Sequence, residues 1–112
     1  MKINDIQKKI DAEVIFKATD ADDIDINNVT VSDLMSDVLV VDESELLIVS
    51  SLATDQVLRT ADIVCASCVV IVNDKNLSNN MIDRAKEFDI TLLRTPYTTF
   101  KTCVKLNELM SE

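Results

Sequence analysis

The chain contains no glycine and no histidine, and a single proline, in 112 residues. Globular proteins average about 7% glycine, so the first absence is informative. A P-loop, a dinucleotide-binding fingerprint and a glycine-built anion cradle all depend on glycine backbone, and none can exist here. The lack of histidine removes the commonest general base and the commonest metal ligand. Together these absences set most enzyme classes aside, and no cofactor or resident metal is expected. No apolar run approaches the ~20 residues of a membrane helix. The opening "MKINDIQKKI" is charged and amphipathic, unlike a secretory signal. There is no basic surplus either: 20 acidic residues face 11 basic ones, for a net charge of −9. Nucleic acid and anionic membrane surfaces are therefore not expected partners. The acidity reads most simply as solubility. Three cysteines, an odd number, fit a reducing compartment better than a disulfide framework, so a cytoplasmic protein is the expectation.

What is present is a well-patterned chain, 47% apolar and 28% charged, long enough for one domain with one core. Ile3, Ile6 and Ile10 recur at helical spacing, which predicts a short helix over about 4–11. "EVIFKA" reads as a strand with an apolar edge. "TDADDIDINN" reads as an acidic loop with an edge strand, Asn and Asp serving where glycine would otherwise turn the chain. "VTVSDLMSDVLV" starts extended and turns helical at Ser32, a suitable N-cap, placing Leu34, Met35, Val38 and Leu39 on one face.

"ELLIVSS", "CVVIVND" and "ITLLRTP" are continuous apolar runs of strand length. Between them lie helices over "ATDQVLRTADIVCA", capped by Thr54 or Asp55, and "LSNNMIDRAKEFD", capped by Ser78. Their inward residues are Val57, Leu58, Ala61 and Val64, then Met81, Ile82, Ala85 and Phe88. "YTTFKTCVKLNELM" is a final helix with Phe100, Cys103, Val104, Leu106, Leu109 and Met110 apolar, and Pro96 stands just before it. Apolar strands alternating with amphipathic helices predict an α/β domain: a mainly parallel sheet with helices on both faces.

The cysteines at 65 and 68 have the spacing of a redox or half-zinc motif. A structural zinc site needs four ligands, and only Cys103 and no histidine remain to complete one. A thioredoxin-like pair opens a helix, whose dipole lowers a thiol pKa. Here the pair follows a helix and leads into a strand. The favoured reading is structural, with Cys65 and Cys68 at the start of a buried strand. A thiol-based redox sensor is the alternative.

Ligands of open parallel sheets bind beyond the carboxyl ends of the strands. Three such ends are rich in polar groups: Ser50, Ser51 and Thr54; Asn73, Asp74 and Lys75; and Thr95, Tyr97, Thr98 and Thr99. The last gathers several hydroxyls at a helix N-terminus, where unpaired amides attract anions. Plain capping explains the same hydroxyls. Ser32, Asp33, Ser36 and Asp37 lie on a helix start. Asp33 and Asp37, four apart, would share a face and suit a cation, although such pairs are most often a solvated face.

The element order and three stretches resemble the DRTGG domain. The stretches are "VTVSDLMSDVL", "CVVIVND…NMIDRAKEFDITLLRTP" and "TPYTTFKTCVKLNEL", and the likeness covers nearly the whole chain. That domain occurs in bacterial regulatory proteins and enzyme fusions, and is similar to the N-terminal domain of HPr kinase/phosphorylase. The positions that carry over are Ser32, Asp33, Ser36, Asp37, Thr95, Pro96, Tyr97 and Thr99. The signature residues themselves differ. Leu52 and Ala53 stand where the Asp-Arg pair would fall, and Asn73 and Asp74 replace the glycines.

The resemblance implies a regulatory or ligand-sensing α/β module, often homodimeric, with a small metabolite or nucleotide as ligand, or a protein as partner. The expectation is a non-catalytic module whose ligand contacts come from Ser32, Asp33, Ser36, Asp37, Ser50, Ser51, Asn73, Thr95, Tyr97, Thr98 and Thr99. Phosphoryl transfer is the remote alternative. In the family it belongs to a separate P-loop domain.

Overall fold

Strands at the centre of the chain are apolar on both faces, so both faces need cover. The computed structural model, which describes all residues Met1–Glu112, supplies it with helices on each side. Helix α1 (Ile3–Lys9) leads into strand β1 (Glu13–Phe16), a 3-10 turn (Ala21–Asp23) and strand β2 (Asn28–Val31). Then come α2 (Met35–Val38), β3 (Leu46–Ser50), α3 (Asp55–Ile63), β4 (Cys68–Ile71), α4 (Asn79–Phe88), β5 (Thr91–Arg94) and α5 (Thr99–Met110). The sheet order is β1-β5-β4-β3-β2. All neighbours are parallel except β1, which runs antiparallel to β5 along one edge, with a register shift between Val14 and Phe16.

Side chains alternate across each central strand. Leu47, Val49, Cys68, Val70 and Leu93 join Ile3, Ile6, Ile10 and Leu106 under α1 and α5. Ile48, Val69, Ile71 and Leu92 join Val57, Leu58, Met81 and Ala85 under α2, α3 and α4. Strands β3 and β4 are buried at every residue, as continuous apolar runs demand.

Ser78 caps α4 as expected, its hydroxyl accepting from Met81 N at 3.3 Å. Thr54 occupies the N-cap position of α3 without a side-chain capping bond. Ile82, Phe88 and Val64 are only half-buried.

Four local expectations shift. Helix α2 begins at Met35, not at Ser32, and has four residues. The Ser32 hydroxyl accepts from Leu34 N and donates to Leu34 O, and this local turn keeps the backbone extended. Met35 and Val38 are buried, but Leu34 and Leu39 face solvent. The acidic loop holds the 3-10 turn in place of a strand, with the edge strand following it as β2. Helix α5 starts three residues after Pro96 and buries Thr102 and Leu106, leaving Phe100 79% exposed.

Left-handed backbone, needed without glycine, falls at six residues: Asp11, Glu45, Cys65, Asn73, Asp74 and Asp89. Four are Asp or Asn, the residues that tolerate it best. None lies in the acidic loop where that role was expected. Asp11, Cys65 and Asp89 close α1, α3 and α4 with the same bond pattern. The next residue's N–H reaches back to Gln7, Ala61 and Ala85 carbonyls respectively. This is the Schellman end that glycine usually makes.

Candidate functional site

The parallel strands bring their carboxyl ends to one edge, and three of the predicted clusters meet there. Past β2, Asp33 is clamped onto the end of β3. Its Oδ1 accepts from Ser50 Oγ at 3.1 Å and Ser51 N at 2.7 Å, and its Oδ2 accepts from Ser51 Oγ at 2.6 Å. The Ser51 hydroxyl and amide bonds hold the Asp33 carboxyl below the usual carboxylate range. Burial opposes them, and the Ser50 bond and the Lys75 charge add to them. Ser50, almost fully buried, also accepts from Leu52 N. Ser36 and Asp37 are exposed on α2. Asp33 precedes that helix, so Asp33 and Asp37 do not form the shared helical face expected for a cation. No three carboxylate or thiol groups converge as a metal site would require.

Past β4 the chain turns through Asn73 at φ 67° and Asp74 at φ 54°, and their amides donate to the carbonyls of Tyr97 and Thr95 at 2.8 and 3.0 Å. The loops after β4 and β5 are thereby joined. Two consecutive left-handed residues thus make this turn without glycine, with Asn and Asp, the residue types that tolerate such backbone best. Arg94, at the end of β5, pairs with Asp74 at 2.9 Å. Lys101 lies over the Tyr97 ring, 3.9 Å from its centroid, a cation–π contact. Thr98 caps α5, its hydroxyl accepting from Lys101 N at 3.1 Å, and Thr99 is the first residue of that helix.

Thr95 is a case apart. It is fully buried, donates to Ile10 O at 2.5 Å and accepts from Tyr97 N at 3.2 Å. It ties the end of β5 to the end of α1 and presents no free polar atom outward. Arg94 and Lys101 were not singled out in the sequence. Their signals were modest: a cation ending an otherwise apolar strand, and a lysine four residues after the lone tyrosine. Lys75, Arg94 and Lys101 bring three cations to this edge, where Asp33 and Asp74 lie, Glu13 approaches Arg94 at 3.9 Å and Asp55 opens α3.

Cys68 begins β4 and is fully buried, and burial pushes its thiol far above its ordinary range. Cys65 is exposed, and burial raises the half-buried Cys103 thiol. The structural reading holds for Cys68, which is walled off in β4, but not for Cys65, which is exposed in left-handed backbone at the end of α3 and lies outside the strand. In the native protein a thiol reagent should label Cys65 quickly and Cys103 slowly. Cys68 should react only after denaturation, and rapid native labelling of Cys68 would contradict the packing.

Residues 5–109 match the DRTGG domain family. The chain belongs to the DRTGG domain family. No curated protein matches it. Its fold is similar to the crystal structure of the CBS and DRTGG domains of the regulatory region of Clostridium perfringens pyrophosphatase, complexed with the activator diadenosine tetraphosphate. The TM-score is 0.74 at 15% identity, over 94% of this chain and 45% of that one. This DRTGG domain thus spans less than half of that regulatory region, and the likeness is one of fold. No helix of the domain is long and apolar enough to cross a membrane.

Proposed function

We propose that this DRTGG domain is a non-catalytic regulatory module that senses a small anionic metabolite or nucleotide at the carboxyl edge of its sheet. The observation that carries the reading is that one edge brings together Lys101 over the Tyr97 ring, Arg94 and Lys75 on the adjoining strand end and loop, the half-buried Ser51 and Thr99, the exposed Thr98, and the left-handed turn at Asn73. Cations and hydroxyls suit phosphate, and an aromatic face suits a base. The nucleotide activator bound by the pyrophosphatase regulatory region supports the ligand class. Asp33 serves here as an organiser of the Ser50–Ser51 corner and not as a base, since both of its oxygens are engaged.

The same reading has the domain act as a homodimer. The outward side of α5 favours it: Phe100, Val104 and Met110 remain exposed while Thr102 and Leu106 pack on the sheet.

The test is thermal melting against nucleotides and central metabolites, with sedimentation equilibrium on the free and ligated protein. A stabilising hit that is lost in Lys101→Ala or Arg94→Ala supports the reading, because ligand binding to the native state raises the melting temperature by mass action. A panel with no shift, or a hit indifferent to both substitutions, removes the site. A monomer under all conditions removes the dimer.

A further inference from the structure

The opposite pole of the sheet carries a second surface of different character. Loops entering the amino ends of β3, β4 and β5 meet there. A cleft between the loop after α2 and the end of α3 is lined by Leu39, Val40, Val41, Ile63 and Val64, with Asp42 and Glu43 on its border. Val40 is 80% exposed and Ile63 68%. Cys65 joins this cleft to a neighbouring one bordered by Asp20, Asp62 and Asp89. Five carboxylates border the two clefts, and no lysine or arginine lines either. Arg59, one turn before Ile63, is turned to Asp55 at 3.2 Å.

We propose that this pole docks another protein that presents an apolar face bordered by lysine or arginine. Contiguous exposed apolar side chains on a small domain mark interaction surfaces. Their all-acidic border supplies the sign: a basic rim on the partner would be attracted, an acidic one repelled. A symmetric second copy fits poorly, because a two-fold contact sets the same patch against itself and brings two unbalanced sets of carboxylates together. An amphipathic helix laid along the groove is a form that satisfies both the apolar floor and the charged border. The surface lies one strand length, ~13 Å, from the carboxyl edge, so it is separate from the ligand site proposed above and does not depend on it.

The experiment uses the full chain, isotope-labelled and free of nucleotide, and two synthetic amphipathic helices with the same leucine stripe. One is bordered by lysines, the other by glutamates. The lysine peptide is expected to bind at least about tenfold more tightly, with amide shifts confined to 39–44 and 62–67, and to weaken as salt is raised. The double variant Val40→Ser with Ile63→Ser changes only exposed side chains and should abolish binding. Asp42→Asn with Glu43→Gln should erase the preference for lysine over glutamate. Equal binding of the two peptides, binding of neither, shifts spread over α1 and α5, or self-association that buries Val40 and Ile63 would each overturn the proposal.

Discussion

Replacing Thr95 by valine should lower stability by about 3 kcal/mol, although the two side chains have nearly the same shape. The hydroxyl is the sole link between the end of β5 and the carbonyl of Ile10, and it also receives the Tyr97 amide. Both partners lie away from solvent, Ile10 fully and Tyr97 partly. Valine would leave an acceptor and a donor without partners, each costing about 1–3 kcal/mol. For a domain of this size the melting temperature should fall on the order of 10 °C. Thr95→Ser keeps the hydroxyl and loses only a methyl group, so it should cost about 1 kcal/mol. Equal losses for the valine and serine variants would show that the methyl, not the bond, matters. An unchanged valine variant would remove Thr95 from the framework and leave it free for a ligand role.

The second large effect concerns how α5 is held, and it has two signs. Leu106 is the one apolar side chain of that helix that is fully buried, and its face neighbour is Thr102. Leu106→Ala should cost about 3 kcal/mol through lost transfer energy and a cavity. Thr102 is buried with its hydroxyl unpaired, the one such side chain in the protein. Thr102→Val removes that penalty at constant shape and should stabilise by about 1 kcal/mol. Urea unfolding at constant slope measures both. A destabilised Thr102→Val protein would mean that the hydroxyl has a bonding partner after all.

Those two residues also mark where sequence reading was strong and where it stopped. Strands β3, β4 and β5 announced themselves because runs such as "LLIV" and "CVVIV" have no solvated face to offer, and burial on both sides is their only outcome. Helices α3 and α4 followed from spacing, and Ser78 from its place before an amphipathic run.

Helix α5 misled because it has more apolar residues than sheet to cover. Phe100, one of its apolar set, lies outward, while Thr102, a polar residue outside that set, is buried. Ser32 misled for a different reason. Its capping potential is met two residues on by Leu34, while the next residue, Asp33, makes three bonds to the end of β3. A tertiary contact across 17 residues is invisible to a local rule.

The carboxyl-edge cluster was legible as a place, because parallel topology fixes which loops meet. Its cations were less legible: Arg94 and Lys101 acquire meaning only once Asp74 and Tyr97 are seen beside them.

Strand β1 sets a timetable for the chain. It is made before the other strands of its sheet but finds its partner, β5, at residues 91–94, and α1 likewise packs against α5. A ribosome must deliver nearly the whole domain before either contact is available. Until then the earlier-made β3-α3-β4 unit, whose pairings are short in sequence, is the natural seed of structure, and Ile3, Ile6 and Ile10 wait without the helix that will cover them. Closing so long a loop is entropically slow. The last event in the assembly of this sheet is therefore the return of its first strand.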